Sequence, residues 1–232
     1  MVNQYQNKFL NQCLNPYVML TLSVVAVAAS IVGHRSGTEV FALVLLHIVM
    51  ILVSVRIAHT DHRLFSTRFF YSLLALVVVS LLCDGITYFL NDHRNFRTFF
   101  LVTGAMIRFY IFGYGWMSLI KTLATKQKVT ENTIITAIVA YLFIGIFYSF
   151  AYFSIWQLDP NAFHISVVRD YEFRPRSLVM YFSFMTLTTV GYGDIIPVNQ
   201  WLMAVAMFEA MTGAIYLTVV VARLVSLFSS PD

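Results

Sequence analysis

Charge is scarce in this chain. Only 11% of its 232 residues are charged, where a soluble domain carries about 25%. That deficit argues against a fold surrounded by water on all sides. Cysteine is nearly absent: Cys13 and Cys83 have no useful spacing, which argues against a disulfide scaffold or a cysteine-built metal centre. Cys83 lies in an apolar run and is expected as a small buried hydrophobe. The histidines, His34, His47, His59, His62, His93 and His164, form no metal-like cluster. No nucleophile triad, phosphate-binding glycine loop or zinc pattern occurs, so no enzyme is expected and no cofactor. A cleavable leader is not expected either, because the first ten residues are polar and no small-residue cleavage site follows the first apolar run. The net charge of +4 is read as loop topology, without nucleic-acid binding.

Hydrophobic residues make up 59% of the chain, with 21 Phe and 13 Tyr. Such a composition suits helices in lipid with aromatic side chains at the interfaces. A membrane span needs about 20 apolar residues. Stretches near that length run over Pro16–Gly33, Val40–Val55, Phe69–Leu90, Phe99–Ile120, Thr133–Trp156 and Trp201–Phe228. Ser177–Leu187 is apolar but too short to cross, and a turn-rich segment with Pro197 follows it. That pattern predicts a re-entrant helix and loop, which survives at membrane depth when buried in protein or lining a cavity. The polar stretch Lys126–Glu131 divides a peripheral four-helix domain (residues 1–130) from a C-terminal pair (131–232). With both termini cytoplasmic, the inner segments hold Lys8, Arg56, Arg63, Arg68, Lys121, Lys126, Lys128 and Arg223. The outer ones hold Arg35, Arg94, Arg97, Arg169, Arg174 and Arg176. The bias toward the inside has the expected direction. The expected product is a multi-pass cell-membrane protein of all-α class.

Between the last two stretches stands Thr188-Thr189-Val190-Gly191-Tyr192-Gly193-Asp194. This segment, with the short apolar run before it and the long ones on either side, resembles the selectivity filter and pore of potassium channels. The resemblance covers about Thr133 to Phe228; the first four stretches resemble the peripheral helices of six-span channels only in number and length. It implies six spanning helices plus a re-entrant pore helix, four copies around one axis, and K+ as the permeant ion. Carbonyls of Thr189, Val190, Gly191 and Tyr192, with the Thr189 hydroxyl, would replace the ion's water. Consecutive carbonyls on one side require backbone of alternating hand, which Gly191 and Gly193 supply at little cost. Thr188 ends the pore helix, and Tyr192 would turn its ring away from the ions. Tyr181 and Phe182 stand where many relatives carry a tryptophan pair. Met185 stands where some carry a carboxylate, so Asp194 is expected to lack that partner. Gly213 follows Gly193 by twenty residues, where relatives carry a hinge glycine; close helix packing is the alternative. By the same offset, Ala210, Ala214, Leu217 and Val221 would face the pore and hold its gate.

Asp84, Arg108 and Glu209 fall inside apolar stretches, where charges are costly and mark functional or locking pairs. Asp84 is expected to pair with Arg108 or Arg97. Glu209 is expected to lean toward Ser183 or Thr186, as a structural hydrogen-bond partner or as a proton sensor. A voltage sensor would repeat a basic residue every third position of the fourth stretch, but Arg94 and Arg97 are followed by Phe100, Thr103 and Met106. Weak or absent voltage gating is expected. The alternative roles are a modulatory subunit of a heterotetramer and a non-channel sensor or transporter.

Overall fold

The computed structural model describes residues 15–32, 47–48, 67–89, 94–125, 130–166 and 175–228. These form six helices: α1 (Pro16–Val32), α2 (Thr67–Phe89), α3 (Arg94–Thr125), α4 (Glu131–Leu158), α5 (Pro175–Leu187) and α6 (Gln200–Phe228). Between them lie two short strands, β1 (Phe163–Ile165) and β2 (Ile195–Pro197). Among the described residues, three stretches are long and apolar enough to cross a membrane: Asn95–Tyr114, Glu131–Leu158 and Gln200–Ser226. The protein is thus a multi-pass, mostly helical membrane protein. Shorter apolar segments, Tyr17–Ala28 and Leu74–Thr87, occupy α1 and α2. The stretch Val40–Val55 lies outside the described residues apart from 47 and 48, as do the two ends of the chain and 126–129.

Local chemistry sets the helix ends. The extended backbone of Thr130 starts α4, and its N–H donates to Thr133 Oγ1 at 3.3 Å, while Glu131 places an acid in the first turn, where the helix dipole favours it. Pro175 opens α5 at the position where a missing N–H costs nothing. Asn199 caps α6, its Oδ1 accepting from Trp201 N–H at 2.8 Å. Its amide also donates to Asp159 Oδ2 at 2.8 Å, tying the start of α6 to the end of α4.

A small antiparallel sheet, with Phe163 opposite Pro197 and Ile165 opposite Ile195, corrects the purely helical expectation. Each strand is three residues long, too short for an alternating pattern to stand out in the sequence. The sheet ties the segment after Gly193 to the loop after α4. Just beyond it, Ser166 donates through both N–H and Oγ to the Asp194 carbonyl, each at 3.0 Å.

The elements pack around α4, the most covered of the three membrane-length helices. One cluster joins Met19, Phe112, Phe143, Ile146 and Phe150 with Leu187 and Tyr216. A second surrounds α5 with Tyr152, Phe163, Phe182, Ile195 and Leu202. Cys83 is buried and free, as its apolar setting predicts. By contrast, α6 is the least covered of those three helices within the chain. Trp201, Met207, Phe208, Met211, Ile215 and Val219 all stand exposed on it.

Candidate functional site: the segment after α5

The end of α5 determines the backbone that follows. The Thr189 N–H bonds to the Thr186 carbonyl at 3.0 Å and the Val190 N–H to the Met185 carbonyl at 2.9 Å. This pair of bonds is the Schellman arrangement, which places the residue after the cap in left-handed backbone. Thr189 occupies that position, with φ 60°. Left-handed backbone recurs at Gly191 (φ 50°) and Gly193 (φ 76°), and among the described residues no others have positive φ. The hand therefore alternates residue by residue from Thr189 to Gly193. Such alternation carries successive carbonyls onto one side of an extended strand. Thr188 through Gly193 are exposed in the single chain, so their oxygens are open to a ligand or a neighbour.

Side chains brace this segment from behind. Tyr181 donates its hydroxyl to Asp194 Oδ2 at 2.7 Å, and the other carboxylate oxygen accepts from the Ile195 N–H at 3.0 Å. Asp194 thus has a partner after all: the acid missing at Met185 is replaced by a phenol one helical turn earlier. Burial and the Asp194 carboxylate push the Tyr181 phenol up to about 12, so it remains a donor throughout the neutral range. The Tyr181 ring also stacks on Tyr192, 6.5 Å between centroids and 9° from parallel. Phe182 turns the other way into the aromatic cluster, 5.0 Å from Tyr152 and 5.2 Å from Phe163. The two positions thus divide their work: Tyr181 braces by hydrogen bonding and Phe182 by packing.

Behind α5, Glu209 is fully buried. Ser183 Oγ lies 2.5 Å from Glu209 Oε1 and 2.7 Å from the Gly145 carbonyl. Of the two partners expected from sequence, Ser183 is therefore the one found. Tyr152, whose hydroxyl meets Oε2 at 2.5 Å, was not foreseen. Further along α6, Tyr148 meets Thr212 at 3.0 Å, and Tyr216 donates to the Ala137 carbonyl at 2.6 Å. A Cβ on Gly213 would stand 2.6 Å from the Leu187 carbonyl oxygen, closer than real contacts allow. Gly213 therefore seats α6 against the end of α5, and α6 runs unbroken through it. Ala210 is half-buried, while Ala214, Leu217 and Val221 are exposed on α6.

In the peripheral helices, Arg108 reaches both carboxylate oxygens of Asp84 at 2.7 Å. The pair is 4% and 14% exposed, and Ser80 adds a contact at 3.4 Å. Asp84 thus meets Arg108 and not Arg97. The guanidinium also lies 5.6 Å from the Phe150 ring, so the pair joins α2 and α3 to α4.

Residues 162–230, from β1 through α6, match the family model described as ion channel. No curated protein matches the chain. The matched part contains the whole left-handed segment and its braces. Together with the membrane-length helices, the match is evidence for an ion-channel type of membrane protein; among the described residues no group of three could hold a metal ion.

Proposed function

We propose that this chain is one subunit of a homotetrameric potassium-selective channel, with Thr189, Val190, Gly191, Tyr192 and Gly193 as the filter. The observation that carries the reading is the alternating backbone hand from Thr189 to Gly193 at the end of a short buried helix. A potassium ion sheds its water cheaply only where several oxygens replace it at once. One strand supplies oxygens on one side, so a closed ring needs further copies. The uncovered apolar face of α6 and the exposed segment itself are the surfaces that such copies would cover. The C-terminus of α5 adds a partial negative charge beneath the segment, which favours a cation there. Both termini are placed in the cytoplasm, and the gate is placed on Ala214, Leu217 and Val221. The fourth stretch acts as a scaffold, because Arg108 is already paired with Asp84.

Purified protein in liposomes provides the test. Potassium flux that excludes sodium is expected, with loss of conduction or selectivity in Gly191→Ala, whose Cβ would occupy left-handed backbone. Sodium flux equal to potassium flux in the wild type would sink the reading. Flux that appears only when a second, different subunit is supplied would favour the modulatory role.

A further inference from the structure

The contacts around Glu209 form a problem in counting protons. Three oxygen pairs lie at hydrogen-bond distance: Tyr152 to Glu209 Oε2 at 2.5 Å, Glu209 Oε1 to Ser183 at 2.5 Å, and Ser183 to the Gly145 carbonyl at 2.7 Å. Each contact requires one proton between its oxygens, and the carbonyl can supply none. Tyr152 and Ser183 each bring one hydroxyl proton, which leaves one contact without a proton if the carboxyl is ionised. A protonated Glu209 completes the set: it donates from Oε1 to Ser183, Ser183 donates to Gly145, and Tyr152 donates to Oε2. The surroundings agree with this assignment. Glu209 is 0% exposed, and the ion pair found among the described residues, Arg108 with Asp84, does not involve it. The other titratable groups facing it are Tyr148 and Tyr141 on α4, neither of which brings a positive charge. From α5 comes only Ser183, and its own helix adds no charged partner. A bare carboxylate in this position would be buried without a positive partner.

We propose that Glu209 is held as the neutral acid and works as a proton-carrying latch between α6, α4 and the back of α5. Its two partners come from different helices, Tyr152 from α4 and Ser183 from the middle of α5, and Ser183 in turn bonds to the Gly145 carbonyl on α4. One turn further along α6, Gly213 rests on the Leu187 carbonyl. The two points together fix α6 against the helix that presents Thr189. Movement of α6 away from α5 must break the latch or carry α5 with it. Loss of the proton leaves one contact without hydrogen and a charge in an apolar interior, so the latch opens. The effect on conduction rests on the pore reading given above, whereas the protonation state does not.

Infrared spectroscopy of the purified protein tests the proton directly. A protonated carboxylic C=O band is expected in the wild type at neutral pH and is expected to vanish in Glu209→Gln. The glutamine keeps the geometry, since its amide donates to Ser183 and its carbonyl accepts from Tyr152. Glu209→Gln should therefore retain the wild-type melting temperature and flux, while Glu209→Ala, which leaves both hydroxyls unpaired, should melt lower. The folded state holds a proton that a solvated carboxyl has already released, so stability falls as pH rises. That alkaline loss of melting temperature should be absent in Glu209→Gln. A wild type without the carboxylic band, a glutamine variant as unstable as the alanine one, or an alkaline loss that persists in Glu209→Gln would each overturn the latch. Absence of potassium flux at every pH, with the band and melting results as expected, would sink the pore reading and uphold the neutral acid.

Discussion

Replacing Gly213 by alanine separates two roles for that residue, a seat and a hinge. The new Cβ would lie 2.6 Å from the Leu187 carbonyl oxygen, and contacts under 3.0 Å are essentially never seen. The Leu187 Cδ1, at 2.9 Å, can rotate away, but the carbonyl cannot, because it is backbone at the end of α5 and accepts the Tyr141 hydroxyl at 3.1 Å. The helices must therefore part by a few tenths of an ångström. Overpacking of this kind costs about 1–3 kcal/mol, while alanine in a helix gains up to about 1 kcal/mol over glycine. A net loss of about 1–2 kcal/mol corresponds to a fall of roughly 2–8 °C in melting temperature for a chain of this size. Gly85→Ala and Gly113→Ala serve as controls, because a Cβ at either position meets nothing within 4 Å. Both should melt at or slightly above the wild type. The assay is thermal unfolding of purified protein in detergent, followed by potassium flux of each variant. A Gly213→Ala protein as stable as the controls, with altered opening, would refute the seat and restore the hinge.

Four further outcomes are expected. Asp84→Asn leaves Arg108 buried without its partner and should cost about 3–5 kcal/mol, read as loss of folded protein on gel filtration; a variant of wild-type stability would show that the pair does not hold these helices together. Arg108→Gln should leave the conductance–voltage curve in symmetric potassium as shallow as in the wild type, and a steep wild-type curve that flattens in the variant would make Arg108 a sensor. Tyr181→Phe removes the donor to Asp194 Oδ2, a loss of about 1–3 kcal/mol, and potassium current should decay faster during steady opening; an unchanged decay would mean that the bond does not brace the segment. External tetraethylammonium should block weakly, because Ile196 offers no ring for cation–π attraction, and Ile196→Tyr should strengthen the block; tight block of the wild type would contradict this.

Long apolar runs were legible in the sequence because a helix in lipid must satisfy its own backbone over a fixed length. α3, α4, α5 and α6 fall where length and apolarity put them, with ends displaced by a few residues where caps such as Asn199 intervene. The glycines at 191 and 193 showed the alternation of hand, since each other residue type would resist it. Thr189 could not be read so directly, because its left-handed backbone comes from the hydrogen bonds that end α5. The sheet was invisible, as three residues carry no period. Partners across helices were harder still. Glu209 pointed toward α5 by its place on α6, but Tyr152 is fifty-seven positions away and nothing periodic links them. Asp84 had two arginines within reach, and only the relative height of α2 and α3 decides between them.

The left-handed Thr189 has an energetic consequence of its own. A non-glycine residue in that region stores about 1–3 kcal/mol of backbone strain, or roughly 4–12 kcal/mol over the four copies of the proposed pore. Glycine at 189 would relieve it and delete the hydroxyl. The cap bonds to Thr186 and Met185 offset part of the strain, and in the proposed pore a cation gathered by four sets of oxygens offsets more. Ion and backbone are then linked: whatever binds only the strained form stabilises it by an amount that grows with the logarithm of its concentration. Emptying the pore withdraws that support and leaves four wound springs with a lower-energy state to relax into. The permeant ion would in this sense also be a structural ligand, with its absence felt as a change of shape before any gate moves.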